Sequence, residues 1–322
     1  MLCLMLAAAA CGQSPARAAL AAPAAPAAAD AGRILLLVVD RLSAPEFFAA
    51  LPELPHLRAA TAHGALGLLN TRAADRNPLS GFLSLGSGYH LVAPDGAGSW
   101  LPVTAPMAGT TAGQLYTSLT GQPAPAPDGY VWPGAAALGA ENRAAPAPPG
   151  GMGEALARAG ITPFVIGNAD LPGSPRRGAA LIAMDGAGRL AAGSLETGAR
   201  RGDDPYLVQD DPAALWSGAA QALATHRLVV VEMGDLARLA DAELSIAPAV
   251  AERARAGALQ RVDAFVGAWL AGSQPGDRLL MVSPNPAPGD AARGHTLTAA
   301  LWVEAGRDLH AALLTSATTH RA

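Results

Sequence analysis

Cysteine is nearly absent: Cys3 and Cys11 are the only two, and both fall in the first dozen residues. The body of the chain therefore has no disulfide, no thiol nucleophile and no cysteine-type zinc site. Lysine is missing altogether, so every basic side chain is an arginine or a histidine. Charged residues make up only 15% of the chain, the net charge is -4, and no basic stripe is visible, which argues against a nucleic-acid partner. No stretch after the first dozen residues reaches the ~20 consecutive apolar residues needed to span a bilayer. No internal repeat is visible either.

What is present is apolar. The 322 residues are 51% hydrophobic, enough for one large α/β domain or two small ones with a sizeable core. The abundance of Ala, Gly and Pro, with Arg in place of Lys, reads as GC-rich coding bias. MLCLMLAAAACGQSPARA (1–18) reads as an export signal. Its apolar core runs from Leu2 to Ala10, and Ala16-Arg17-Ala18 is an A-x-A type cleavage site. Cys11 follows three alanines, a loose lipoprotein-type box, so lipidation of Cys11 is the second possibility. The expected location is exported: periplasmic, extracellular or lipid-anchored to the envelope, with membrane contact only through that anchor. Residues 19–32 form an Ala/Pro linker, and the folded domain is expected over 33–322.

Four short apolar runs without alternation read as buried parallel strands: ILLLVVD (34–40), TPFVIGN (162–168), RLVVVEMGD (227–235) and DRLLMVSP (277–284). LTAALWVEAG (297–306) reads as a further strand. Helical patterns over 55–64, 150–160, 211–226 and 247–272 alternate with these runs. The fold class is therefore α/β, a doubly wound, mostly parallel sheet with helices on both faces. Residues 91–150 are rich in Pro and Gly, carry Trp100, Tyr116, Tyr130 and Trp132, and read as an excursion or cap near the strand ends. Their aromatics are expected to pack, with a groove lining as the alternative.

Ligands in open parallel sheets bind beyond the carboxyl ends of the strands. Polar residues stand at four such ends: Asp40, Asn168 with Asp170, Glu232 with Asp235, and Ser283 with Asn285. Asp40 alone is either a helix cap or a metal ligand. Several polar strand ends together favour a hard-cation or zinc site. Arg176-Arg177 reads as a solvated loop pair, with a bidentate anion clamp as the alternative. His56 and His63 read as surface residues.

The stretch GALGLLNTRAADRNPLSGFLSLGSG (64–88), with VVDRLS (38–43) before it and PHLRAATAHG (55–64) overlapping its start, resembles the alkaline phosphatase superfamily of phosphatases, sulfatases and phosphoglycerate mutases. The nearer resemblance is to an exported bacterial branch, through Gly167-Asn168-Ala169-Asp170, the segment 180–185, Glu232 to Asp235, and Leu313 to Arg321. The resemblance implies an alkaline phosphatase-like sheet and a metal-dependent phosphoester or sulfoester hydrolase. In it, Asp40, Asp235 and His295 would hold a divalent Zn or Mn, and a metal-activated hydroxyl would attack in line. The implied partner is a small anionic ester, or an envelope glycan or lipid.

The sequence departs from that pattern at three places. The nucleophile position falls at Asn77, with Ser80 and Thr71 as the nearby hydroxyls. Pro284-Asn285 stand where an Asp-His pair is expected, and Arg238-Leu239 where a Gly-His is expected. Arg41 follows Asp40 where the resembling proteins have Gly, and reads as a possible holder of an anion. An inactive binding or scaffold protein, without cofactor, is thus the alternative to the hydrolase. The resembling proteins also continue past TSATTHRA, so a truncated C-terminus is expected.

Overall fold

A computed structural model describes residues 32–71, 73, 75–107, 109–242, 245–309 and 312–313. Residues 1–18, read as an export signal, most of the Ala/Pro stretch, and the segment after Leu313 that carries His320 lie outside the described residues, as does His310.

Eight strands form one sheet: β1 (Ile34–Val39), β2 (Ala65–Leu69), β3 (Phe164–Asn168), β4 (Gly193–Ser194), β5 (Leu228–Met233), β6 (Arg278–Val282), β7 (Thr298–Glu304) and β8 (Ala312–Leu313). Their spatial order is β8-β2-β7-β6-β1-β5-β3-β4. The five strands legible in the sequence are the five central ones. β7 runs antiparallel to both its neighbours, β6 and β2, and every other pairing is parallel.

The central runs lack alternation because both faces of the sheet are covered. In β1, Leu35, Leu37 and Val39 point into one core, while Leu36 and Val38 point into another. β5 divides the same way, with Val229, Val231 and Met233 opposite Leu228 and Val230. The first core is roofed by helices Ala44–Ala50, Pro55–His63, Pro212–Leu223 and Pro248–Gly272. Phe47, Leu57, Leu215, Phe265 and Trp269 anchor it, none more than 1% exposed. Each such side chain contributes ~1.5–3 kcal/mol by leaving water.

The second core is roofed by helices Pro78–Ser87 and Ala179–Ala183 and by the Pro/Gly-rich excursion. The two helices touch backbone to backbone. A Cβ on Gly86 would sit 2.7 Å from the Ile182 Cα, so only glycine permits this approach. Trp100, Tyr116, Tyr130 and Trp132 are buried in the same core as Leu36 and Val230. The excursion therefore packs as a layer over one face of the sheet, and its Ala93 also reaches Asn77 and Ser80 near the strand ends. The described residues form one compact unit. Among the described residues no helix is long and apolar enough to cross a membrane.

Candidate functional site

Because β7 is the single reversed strand, β1, β2 and β6 all end at one edge, where β7 begins. The chain also changes direction of winding there: β2 lies on one side of β1 and β3 on the other. Crevices form at such switch points. The one here is a cleft of about 860 Å³. Arg41 reaches it from the end of β1, Asn70, Thr71, Arg76 and Asn77 from the segment after β2, and Asn285 from the end of β6.

Asp40 lies just behind this cleft, 3% exposed. It does not cap the helix Ala44–Ala50, whose N-cap is Ser43 without a side-chain bond. Its Oδ1 instead accepts the backbone N–H of Asn285 at 3.0 Å and the Asn285 side-chain amide at 2.8 Å. The same amide donates to the Pro78 carbonyl at 2.9 Å, so Asn285 ties the end of β6 both to Asp40 and to the helix Pro78–Ser87. That helix comes close enough because Gly81 faces the amide: a Cβ there would meet the Asn285 Oδ1 at 2.7 Å. The other Asp40 oxygen stands 3.6 Å from the Arg41 guanidinium. Burial raises the Asp40 carboxyl above its usual range, against the opposing pull of Arg41 and Asn285.

The expected metal ligands do not converge. Asp235 opens the helix Asp235–Ala242 and is 2% exposed. Its Oδ1 accepts from the Asp210 N–H at 3.0 Å and from Arg238 at 2.8 Å, and its Oδ2 accepts from Arg261. Arg238 is completely buried and also donates to Asp210 Oδ1 at 2.9 Å and to the Asn168 carbonyl at 2.7 Å. A guanidinium thus neutralises Asp235 at the place where the resemblance expects Gly-His. His295 is at the surface, with its side chain 55% exposed and its Nδ1 3.6 Å from Asp290. Among the described residues no three His, Cys, Asp or Glu side chains are grouped to hold a metal ion. The donor set does not fit Zn or Mn: Asp40 is engaged by an amide, Asp235 by two arginines, and His295 by solvent and Asp290.

The expected nucleophile positions have structural roles. Asn77 is the N-cap of the helix Pro78–Ser87: its Oδ1 accepts from the Leu79 N–H at 3.1 Å, and its amide donates to the Ala93 carbonyl at 2.8 Å. Ser80 is fully buried, and its Oγ accepts from the Ala93 N–H at 2.9 Å. Asn77 offers no hydroxyl, and the Ser80 hydroxyl is shut off from solvent. Thr71 does line the cleft, but its hydroxyl donates to the Pro284 carbonyl at 2.8 Å.

The arginine pair is not a solvated loop pair. Arg177 is 7% exposed and donates to Asp170 at 2.9 Å, to Glu196 at 2.7 Å and to the Trp100 carbonyl at 2.8 Å. Arg176 pairs with Asp241 and lines a small space together with Asp40 and Glu232. Burial, then the charge of Arg41, lowers its guanidinium from the ordinary value, while Asp40 and Glu232 pull the other way. Glu232 is 2% exposed and accepts the Ala179 N–H at 2.9 Å. Burial pushes its carboxyl up to about 8, with Asp40 and Asp170 adding to the rise. Its burial favours the protonated, neutral form. His56 is indeed at the surface, with its Nδ1 2.7 Å from Asp263.

Two cleft residues escaped the sequence reading. Asn285 was noticed as a polar strand end, but not as the partner of Asp40. Arg76 gave no motif signal; only its place one residue before the helix cap Asn77 could have marked it.

No family model matches the chain, and no curated protein sequence matches it. Solved structures similar to it include a Vibrio parahaemolyticus protein of the alkaline phosphatase superfamily, with 10% identity and a TM-score of 0.47 over 87% of this chain and 61% of that one. The Thermus thermophilus alkaline phosphatase is similar with 13% identity and a TM-score of 0.43, over 80% of this chain and 60% of that one. A Pyrococcus horikoshii protein, PH0037, is similar with 11% identity and a TM-score of 0.44, over 86% of each chain. The chain thus spans about three fifths of the first two proteins and most of the third.

Proposed function

We propose that the protein binds a small anionic ester in the cleft at the carboxyl edge of the sheet and does not hydrolyse it. The observation that carries this reading is the pairing of an arginine-lined cleft with a carboxylate that is already locked. Arg41 and Arg76 line the open cleft, and Arg76 has no ion-pair partner among the described residues. Guanidinium groups suit phosphate and sulfate oxygens because their planar donor fork matches two acceptors at once. The Asn70, Asn77 and Thr71 side chains beside them extend the polar lining. Behind the cleft, Asp40 is held by the Asn285 amide in the place where a metal ligand was expected. Among the described residues, the two positions expected to carry the nucleophile are not open to metal-activated attack, since Ser80 is sealed in the core and Asn77 is a cap. An envelope-side location belongs to the same proposal and is supported by the apolar run and A-x-A site at the N-terminus.

The test pairs binding with turnover. Titration of the full chain with ethyl phosphate, followed by calorimetry, should give saturable one-site binding that Arg76→Ala weakens about tenfold. Elemental analysis of the purified protein, with hydrolysis assays on a phosphate monoester and a diester in added Zn²⁺ or Mn²⁺, should show neither stoichiometric metal nor turnover. Turnover that depends on Asp40 would overturn the reading in favour of a hydrolase.

A further inference from the structure

Beside the cationic cleft lies a second hollow of about 480 Å³, lined by Pro45, Phe48, Leu68, Thr296 and Leu297 among others. Its character is opposite to that of its neighbour. Phe48 is 46% exposed, Leu68 59% and Leu297 42%. These are three of the six large apolar side chains left strongly exposed among the described residues, and they meet in one place. Scattered exposed apolar side chains need no explanation, but a cluster in a hollow marks a contact site.

The two hollows are neighbours. Thr296 lines both. The boundary between them is a short seam where the Asn70 amide donates to the Thr296 hydroxyl at 3.3 Å, joining the end of β2 to the lead-in of β7. On one side of that seam stand Arg41 and Arg76, with Asp75 at the rim. On the other stand Phe48, Leu68 and Leu297, with His295 at the edge facing Asp290. The apolar wall stands on regular elements: Leu68 is on β2, Phe48 is on the helix Ala44–Ala50, and the Leu297 carbonyl accepts the Ala44 N–H at 2.9 Å.

We infer that the ligand is amphiphilic, with a phosphate or sulfate head held by Arg41 and Arg76 and an apolar chain laid along Phe48, Leu68 and Leu297. This rests on the anion-binding reading above and narrows it. Charge selects the head, and removal of methylene groups from water over the exposed patch selects the tail. A single molecule satisfies both because one residue, Thr296, borders both hollows.

The experiment compares three probes on the full chain by calorimetry, each kept below its critical micelle concentration: ethyl phosphate, dodecyl phosphate and the neutral dodecyl maltoside. Dodecyl phosphate should bind at least tenfold more tightly than ethyl phosphate, and the maltoside more weakly than dodecyl phosphate. Phe48→Ser with Leu297→Ser should erase the gain for the dodecyl chain while leaving ethyl phosphate unchanged. Arg76→Ala should weaken both phosphates. Equal affinities for ethyl and dodecyl phosphate overturn the amphiphile and leave the anion site standing. Binding of the maltoside as tightly as dodecyl phosphate overturns the coupling of head and tail. Failure of both phosphates to bind sinks the anion site together with the amphiphile. A dimer that dissociates in the Phe48→Ser variant, with no change in dodecyl phosphate affinity, assigns the apolar hollow to a second copy of the chain and overturns the inference.

Discussion

Two clusters of charge sit near the carboxyl edge of the same sheet, and they are built on opposite rules. Around Asp235, carboxylates and guanidiniums are buried together: Arg238 bridges Asp210 and Asp235, while Arg261 bridges Asp235 and Asp204. Around the cleft, the buried carboxylate Asp40 is met by the Asn285 amide and, at 3.6 Å, by Arg41, while Arg76 lines the open cleft with no ion-pair partner among the described residues. The first cluster has closed its charge account and left nothing to offer a ligand. The second leaves positive charge where solutes reach it. Residue type alone does not separate the two, because both present Asp at the end of a buried run; the partner of each Asp does.

Breaking the closed cluster should cost the most. Arg238→Ala leaves Asp210 and Asp235 buried with half of their compensation gone, a loss of roughly 3–5 kcal/mol. A urea titration would read this as a large drop in midpoint with an unchanged slope; a shift near zero would mean that the network is not buried as described.

Glu232 belongs to neither cluster but borders Asp40, and it should set a pH trend of a few kcal/mol. Its folded carboxyl, pushed up to about 8, keeps a proton that the unfolded chain, near the ordinary 4.5, releases. The native state binds the extra proton, so the contribution of Glu232 to stability is full below about 4.5 and is lost as pH rises to about 8. Glu232→Gln keeps an acceptor for the Ala179 N–H and removes the titration. Unfolding midpoints measured across that range should fall steeply for the parent chain and less for the variant. Asp210, pushed up to about 6 chiefly by burial, adds a decline of the same sign at lower pH.

Asn77→Ala tests the wall of the cleft. It removes a helix cap and orphans the Ala93 carbonyl, which should cost about 1–2 kcal/mol in a thermal or urea melt without abolishing the fold. The smallest stability effect should come from Arg76→Ala, within ~0.5 kcal/mol as for an exposed residue with no partner to lose. The contrast is what sharpens the comparison: Arg238 should matter to folding, and Arg76 to ethyl phosphate alone.

Much of the architecture was legible because the central strands are buried on both faces and therefore read as unbroken apolar runs. β2 was not recognised as a strand: Ala65–Leu69 is half exposed, carries Gly67, and lies beyond the reversed strand. The helix Pro78–Ser87 was hidden for a different reason, since its Gly81 and Gly86 weaken helical propensity and are retained for close packing. At the site, sequence order located the cleft correctly at the strand ends. It gave Asp40, Asp235 and His295 as one ligand group, and the side-chain partners divide them. No linear pattern reports that Arg238 turns inward to Asp235 or that Asn285 reaches Asp40 across 245 residues of chain. Arg177 was misplaced likewise, because a basic pair in a Pro/Gly loop looks solvated until Asp170 and Glu196 are found beside it.

Arg41 carries a last consequence. Its backbone φ is 65°, in the left-handed region where a side chain costs about 1 kcal/mol and glycine costs little. A glycine at this position would relieve that strain and delete one of the two cleft cations found among the described residues. The charge at the mouth of the cleft and the backbone turn beneath it are therefore one choice, made by a single side chain.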